Sequence, residues 1–310
     1  MNDGGVHRPV LLDEVVSYLN PCSGGVYVDC TLGGGGHAKE VLKVGGGVAR
    51  LIGIDRDAMT LERVRAEMKS YGGLVELHHD RYENLPEILG GRAVNGILFD
   101  LGVSSFMLDD PDRGFSFQTD GPLDMRMDQE QSETAADIVN GWERRDLAIL
   151  FRKSGEEPFA GKVASAIVRA REVSPITTTL QLAEIVRRSL PYKKSRTDPA
   201  TRIFQALRIA VNGEIEGLES VLESSIESLE VGGRIVVISF HSLEDRVVKN
   251  TFRRLAKGCD CPPRIPQCVC GKVPTVKTLT RKPVKASDEE VFANPRSRSA
   301  LLRVAEKVAV

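Results

Sequence analysis

Four consecutive glycines lie between an apolar run and a histidine near the start of the chain. Residues 26–30 are typical of a buried strand, Gly33 to Gly36 follow, and His37 opens a segment with helical spacing. Because glycine carries no side chain, the backbone of such a loop can come close to a bound cofactor. The loop alone is also compatible with a tight turn between a strand and a helix, so other residues must decide.

Three carboxylates at or near the ends of predicted strands favour one cofactor class. Asp55 ends the apolar residues 51–55, where nucleotide-binding α/β folds hold ribose hydroxyls, and Asp100 ends residues 97–100. Asp29 lies just before the glycines, where it would repel a pyrophosphate but could hold the ammonium group of S-adenosylmethionine. The glycines also lack the G-x-G-x-x-G spacing of dinucleotide sites. The residues favour S-adenosylmethionine over a nicotinamide cofactor, and Asp100 has a helix cap as its alternative role.

These side chains need a parallel sheet to bring them together, and the sequence contains the pattern for one. Predicted strands alternate with helical segments as in βαβ units, and the next convincing strand comes about 130 residues later. The intervening segments have helical spacing, with a capping pattern at Thr178 and Gln181, a helix start at Asp198-Pro199, and a last helix that is expected to end at Gly232. The predicted strands are residues 26–30, 51–55, 74–78, 96–101 and 232–239, with an antiparallel pair at 276–280 and 299–304.

Charge and composition restrict the partners. The 310 residues carry a net charge of −1 with a sequence pI near 6.6, which excludes a generally basic protein that coats nucleic acid. No apolar run approaches the roughly 20 residues of a membrane span, and the N-terminus lacks a signal-peptide pattern, so we expect a cytoplasmic protein without membrane contact. Local clusters that could meet RNA are Arg187-Arg188 with residues 193–196, Arg202 with Arg208, Arg253-Arg254, Arg281-Lys282, and Arg296 with Arg298.

Four cysteines form a separate cluster near the C-terminus. Cys259, Cys261, Cys268 and Cys270 have the spacing Cys-x-Cys-x6-Cys-x-Cys. Four thiolates suit tetrahedral zinc, although zinc sites more often use Cys-x2-Cys pairs. Reduced thiols or partial disulfides remain open alternatives, and any zinc here would be structural.

The chain resembles the MraW family of bacterial methyltransferases, which modify the N4 amine of a cytosine in 16S ribosomal RNA. The likeness extends from end to end and rests on long motifs besides the glycine loop with His37. They are His7-Arg-Pro-Val-Leu-Leu-Asp-Glu14, Asp100-Leu-Gly-Val-Ser-Ser105, Arg113-Gly-Phe-Ser-Phe117, Gly121-Pro-Leu-Asp-Met-Arg-Met-Asp128, Pro199-Ala-Thr-Arg-Ile-Phe-Gln-Ala-Leu-Arg208, Ser239-Phe-His-Ser-Leu-Glu-Asp-Arg246 and Asn294-Pro-Arg-Ser-Arg298.

The resemblance implies an α/β fold, a Rossmann-like S-adenosylmethionine methyltransferase domain with an inserted all-α domain. We place the first part of the methyltransferase domain at residues 1–105, the helical insert for substrate recognition at 106–200, and the second part at 201–310. Tyr82 would stack on adenine, with a place in the core as its alternative. Met107 stands where the family commonly has a glutamine that contacts the cofactor. A thioether cannot make the hydrogen bonds of an amide, so we do not assign this cofactor contact to Met107. The positions implied to contact S-adenosylmethionine are Gly35, Gly36, His37, Asp55, Tyr82 and Asp100.

The implied reaction needs help from the protein, because the N4 lone pair of cytosine is delocalised into the ring. We hypothesise that Asp100, or the backbone carbonyls of residues 101–104, accepts the N4 hydrogens. His241 is a second candidate for substrate contact, with structural hydrogen bonding as its alternative role. Phe115 and Phe117 could stack on bases or pack in a core. The implied partner is 16S rRNA in an assembled or partly assembled small ribosomal subunit. Whether the protein forms a homodimer is left open. The main alternative is a methyltransferase for a protein or small molecule with the same cofactor site.

Overall fold

The computed structural model describes residues 8–191, 198–259, 261, 267 and 269–308. Three parts of the sequence motifs, namely His7, residues 193–196 and Cys268, lie outside the described residues. The strands are β1 (Val26–Asp29), β2 (Arg50–Asp55), β3 (Val75–His79), β4 (Val94–Asp100), β5 (Leu229–Ser239), β6 (Val276–Thr278) and β7 (Leu301–Lys307). The helices are α1 (Leu12–Leu19), α2 (Gly36–Val44), α3 (Ala58–Glu67), α4 (Leu85–Leu89), α5 (Ser105–Asp109), α6 (Ala135–Gly141), α7 (Arg144–Lys153), α8 (Ala160–Arg171), α9 (Thr179–Ser189), α10 (Ala200–Asn212), α11 (Leu218–Glu227), α12 (Ser242–Leu255) and α13 (Asp288–Ala293).

The chain forms two compact units. Unit 1 comprises the described residues of Met1–Gly102 and Gly217–Val310, and unit 2 those of Val103–Glu216. Within the described ranges, no helix is both long and apolar enough to cross a membrane.

Unit 1 is built on a seven-stranded sheet with the order β3-β2-β1-β4-β5-β7-β6. Strands β1 to β5 are parallel, and β7 runs antiparallel to both β5 and β6. This arrangement confirms the predicted Rossmann-like α/β fold and the antiparallel pair at the end of the sheet. The central strands β1, β2 and β4 are mostly buried and apolar, as expected where both faces of the sheet are covered.

Helices cover the two faces of the sheet and form a core on each. On one face, Leu85 of α4, Leu222 of α11 and Phe252 of α12 pack against the strands. On the other, Val15 of α1 and Leu42 of α2 do so, together with α3. This burial fixes the sheet from both sides, so the carboxyl ends of the parallel strands are held in one row.

The chain enters β5 earlier than the sequence pattern suggests. The predicted helix that ends at Gly232 is wrong in its C-terminal part, because α11 stops at Glu227 and β5 begins at Leu229. Leu229 pairs with Val94, and the register then shifts before Gly96 pairs with Arg234. The irregularity contains Gly232 at φ 84°, a conformation that favours glycine, so the strand signal is interrupted where the strand bulges.

Unit 2 is helical and has its own core, which includes Met107 and Phe115. The unit continues past residue 200 to Glu216, whereas the predicted insert ends at 200, because α10 supplies core residues such as Ile203 and Leu207. The predicted cap of α9 is confirmed: Thr178 and Gln181 hydrogen-bond each other's backbone in a capping box.

One polar side chain ties the loop at residues 125–127 to α10 inside unit 2. The amide of Asn212 is buried, and its Nδ2 donates to the carbonyl oxygens of Met125 at 2.8 Å and Arg208 at 2.9 Å. Its Oδ1 accepts from the Met127 N–H at 2.8 Å. From helical spacing alone, Asn212 is expected on the same side of α10 as Arg202 and Arg208, away from the core. That expectation is wrong, because Asn212 is buried and its amide pairs with backbone groups of the loop at residues 125–127.

We expect Asn212→Ala to lower the free energy of unfolding by about 2 to 4 kcal/mol, because it leaves buried backbone donors and acceptors unpaired. Asn250→Ala, on the exposed face of α12, should change it by less than about 0.5 kcal/mol. Urea unfolding of the two variants measures the difference. Equal stability losses would contradict the role given to the Asn212 amide.

Candidate functional site

The site lies where the strand order of unit 1 reverses. The chain runs outward from β1 through β2 to β3, and then returns to the other side of β1 with β4 and β5. Such a switch point opens a crevice at the carboxyl ends of the two central strands. Asp29 of β1, Asp55 of β2 and Asp100 of β4 end their strands at this edge. We refer to these three residues as the carboxylate rim.

The glycine loop crosses the carboxylate rim between β1 and α2. Gly35 has φ 69°, and a Cβ atom there would lie 2.9 Å from Met68 Cε. A Cβ atom on Gly36 would lie 2.3 Å from Pro9 Cγ, so the N-terminal segment packs directly against the loop. These positions need glycine for backbone conformation and for packing, which agrees with the tight turn given as the alternative for the loop. Close approach to a cofactor stays a prediction.

Asp55 holds the glycine loop in place. Its Oδ2 accepts from the Gly33 N–H at 2.8 Å, and its Oδ1 accepts from the Asp57 N–H at 2.9 Å. Burial raises the pKa of the Asp55 carboxyl, and these two backbone donors partly offset the effect. Sequence reasoning assigned Asp55 to the cofactor alone, so its contact with the loop is a role that it missed.

Asp29 is the most deeply placed carboxylate of the rim. Its side chain is 3% exposed, and burial raises its pKa from 3.8 to about 7. The nearby His37 and the Thr31 N–H, which donates to Oδ1 at 3.2 Å, oppose this shift, whereas Asp100 and Asp55 add to it. The surroundings of this carboxylate supply too little positive charge to keep it ionised at its usual pKa, so a cationic ligand would stabilise its ionised form.

His37 and Asp100 face each other across the rim without a full set of partners. His37 Nε2 lies 3.6 Å from Asp100 Oδ2, and the side chains are 6% and 26% exposed. Among the described residues, neither ring nitrogen of His37 has a hydrogen-bond partner, and neither has Asp100 Oδ1. Buried polar atoms in native proteins are nearly always paired, so these three atoms mark a place for a ligand.

Thr31 links the loop to β4 and was not singled out from the sequence. Its Oγ1 accepts from the Asp100 N–H at 2.6 Å, while its own N–H donates to Asp29. One threonine therefore positions two carboxylates of the rim. The only signal for it in the sequence is a hydroxyl residue between β1 and the glycines.

Tyr82 lies beside the rim but is buried in the core of unit 1. Its ring is 5% exposed and meets Phe99 edge to face, with centroids 5.6 Å apart. The Arg56 guanidinium lies 5.4 Å from the ring centroid. This placement matches the core role given as the alternative for Tyr82, and stacking on adenine stays a prediction.

His241 and Glu244 cap the helix that follows β5. His241 Nδ1 accepts from the Glu244 N–H at 3.3 Å, and Glu244 Oε2 accepts from the N–H groups of His241 and Phe240. The same imidazole places Nε2 3.2 Å from Glu244 Oε1. These contacts hold the imidazole in place and make His241 the N-cap residue of a capping box. This is the structural hydrogen-bonding role given as its alternative. Substrate contact by His241 stays a prediction.

Most arginines of the predicted basic clusters already have acidic partners. Arg208 pairs with Glu214 through two contacts of 2.8 and 2.7 Å. The other pairs are Arg187 with Asp198, Arg188 with Glu184, Arg202 with Glu157, and Arg254 with Glu219 and Glu223. The sequence clusters therefore overstate the free positive charge, because acidic side chains both near in sequence, such as Glu184, and far from it, such as Glu219, pair with these arginines.

The aromatic residues proposed for base stacking pack inside unit 2. Phe115 is buried, and Phe117 meets Phe204 at a centroid distance of 4.7 Å and an angle of 63°. The Arg187 guanidinium lies 5.6 Å from the centre of the Phe117 ring. Core packing is thus the observed role of both.

Comparison with known proteins gives matches over nearly the whole chain. The model of the MraW methylase family matches residues 5–308. A protein of Carboxydothermus hydrogenoformans named "Ribosomal RNA small subunit methyltransferase H" is 50% identical over 306 residues, which is 97% of this chain and 98% of that protein. Proteins of the same name from Symbiobacterium thermophilum and Nitratidesulfovibrio vulgaris are 49% and 51% identical, over 97% of this chain and 96% and 95% of theirs.

The raised pKa of Asp29 predicts a pH-dependent stability. Between pH 3.8 and about 7 the folded state holds a proton on Asp29 that the unfolded chain has released, so the free energy of unfolding falls as pH rises. We expect Asp29→Asn to remove this decline, up to about 1.4 kcal/mol per pH unit. Urea unfolding from about pH 5 to about pH 8 measures it.

The control is Glu62→Gln on the exposed surface of α3, which should follow the pH dependence of the unaltered protein. A constant difference between the unaltered protein and Asp29→Asn across this pH range would show that Asp29 does not carry the shift.

Proposed function

The chain belongs to the MraW methylase family, and on that premise we propose that it uses S-adenosylmethionine to methylate the N4 amine of a cytosine in the decoding centre of 16S rRNA. The name of the relatives supports rRNA of the small subunit as the substrate. The observation that carries the proposal is the carboxylate rim, in which the buried Asp29 lies beside His37, whose ring nitrogens have no hydrogen-bond partner among the described residues.

The donor set at the rim fits the cofactor. S-adenosylmethionine brings an ammonium group and a positively charged sulfur that activates its methyl group. Asp29 and Asp100 offer negative charge to these groups. Gly35 and Gly36 allow the loop to pack against Met68 and Pro9 beside the rim, and their contact with the cofactor is part of the proposal. A neutral His37 ring donates a hydrogen bond from one of its nitrogens and accepts one at the other, and the tautomer decides which nitrogen does which.

The remaining cofactor residues act at the ribose and the base. Asp55 ends β2 where ribose hydroxyls are held in nucleotide-binding folds, although it already accepts from Gly33 and Asp57. A carboxylate has about four acceptor positions, so it can hold the loop and a hydroxyl together. Tyr82 lies just after β3, and we assign it to the adenine, although its ring is buried.

Asp100 is the group that we assign to the methyl acceptor. Its Oδ1 is unpartnered among the described residues, and its backbone N–H is held by Thr31, so the backbone is anchored and the side chain has a free acceptor. By accepting a hydrogen bond from N4, Asp100 would favour a pyramidal nitrogen whose lone pair can attack the methyl group, and it would take up the proton that N4 loses on methylation. Positive charge that develops on N4 is stabilised by the same carboxylate.

The experiment that tests the function uses small ribosomal subunits from cells that lack this protein. Purified protein and isotope-labelled S-adenosylmethionine are added, and the rRNA is digested to nucleosides for mass spectrometry. We expect label in N4-methylcytidine at one decoding-centre position, in an assembled or partly assembled subunit. Label in a ribosomal protein, in a small molecule or in another nucleoside would overturn the proposal.

We expect Asp100→Asn to lower the single-turnover rate of methyl transfer by about 10²-fold to 10³-fold at saturating cofactor, because the neutral amide stabilises less charge on N4. Cofactor affinity, measured by calorimetry, should fall by a smaller factor. Asp146→Asn on the exposed surface of α7 is the control and should leave both values unchanged. An unchanged rate in Asp100→Asn would remove this residue from the chemistry.

A further inference from the structure

The segment between α12 and β6 begins and ends on the side of unit 1 away from the carboxylate rim. Helix α12 starts at the rim, beside His241, and its fourteen residues carry the chain about 21 Å from it before it ends at Leu255. The Thr275 N–H then donates to the Leu255 carbonyl oxygen at 3.0 Å, immediately before β6. About 20 residues are closed into a loop at this point, which is unusually long for a segment whose described residues contain no helix or strand.

Three thiols of this loop converge on one point. The Sγ atoms of Cys259, Cys261 and Cys270 all lie within 4.8 Å of one another. The Sγ atoms of Cys259 and Cys270 are 3.7 Å apart. Two thiolates on one zinc ion, with Zn–S bonds of about 2.3 Å in a tetrahedron, are separated by about 3.8 Å, so this spacing is that of a zinc site.

Backbone groups of the loop point at the sulfurs. The Cys261 N–H donates to Cys259 Sγ at 3.3 Å, and the Val269 N–H donates to Cys261 Sγ at 3.4 Å. Hydrogen bonds to sulfur favour the thiolate, which is the form that binds metal, and they orient its lone pairs. The loop thus supplies supporting contacts as well as ligands.

We propose that Cys259, Cys261 and Cys270 bind a structural Zn²⁺ ion. Soft thiolate ligands select zinc over the hard cations Mg²⁺ and Ca²⁺. A disulfide would join only two of the three converging thiols and would leave the third without a role.

The ion's role follows from its position. It would close a long loop between α12 and β6, and closing such a loop reduces the conformational freedom of the unfolded chain. Its distance from the carboxylate rim places it outside the methyl-transfer chemistry. The proposal therefore does not depend on the function assigned above.

The test begins with the metal content of the full chain, purified without chelator. We expect about one zinc ion per chain in the unaltered protein. Cys259→Ser and Cys270→Ser should bind zinc at least about 10-fold more weakly, since each removes a ligand. The matched control is Cys22→Ser, an exposed cysteine elsewhere in unit 1, which should retain the full zinc content. Circular dichroism checks that each variant is folded.

Two further measurements identify the ligands. Replacing the ion with Co²⁺ should give visible absorption bands of a tetrahedral thiolate site, and these should be lost in Cys270→Ser. When a chelator is added without reductant, thiol titration should detect the thiols of the three cysteines. If these thiols become detectable only after a reductant is added, they form disulfides and the proposal is wrong. Folded, unaltered protein that contains no zinc, or an equal loss of zinc in Cys22→Ser, would also overturn the proposal.

Discussion

The site depends on three carboxylates that are wholly or partly withdrawn from water at one edge of a sheet. Parallel strands end on the same side, so the sheet order brings Asp29, Asp55 and Asp100 together at the switch point. Burial disfavours the charge of Asp29, and the neighbouring Asp100 and Asp55 raise its pKa further. The raised pKa of Asp29, about 7, is the direct result. A site of this kind is stabilised by a ligand that brings positive charge.

The protein itself relieves only part of this electrostatic cost. Asp55 receives two backbone N–H groups, one of them from the glycine loop, and Asp29 receives one from Thr31. His37 lowers the pKa of Asp29, and among the described residues its ring nitrogens have no hydrogen-bond partner. The loop geometry and the charge balance are therefore coupled, because the glycine loop supplies the Gly33 N–H that Asp55 accepts.

Local patterns in the sequence were enough for the strands, the rim and the helix cap. Asp55 and Asp100 end apolar runs, and Thr178 with Gln181 has the spacing of a capping box, so each can be inferred from a few neighbouring residues. Features that depend on distant residues could not be inferred. The buried amide of Asn212 is set by a loop more than 80 residues away, and the start of β5 at Leu229 is hidden by a bulge against β4. The partners of Arg202 and Arg254 likewise come from other helices or loops.

The most direct test of the account is the proton balance of cofactor binding, measured by calorimetry in buffers of different ionisation enthalpy. At about pH 6.5 the amino group of S-adenosylmethionine is already protonated, whereas Asp29 still holds much of its proton. We predict that binding releases a proton from the unaltered protein, because the cationic ligand lowers the pKa of Asp29, and that Asn at this position abolishes the release. Equal proton release in both proteins, or no binding at all, would contradict the account.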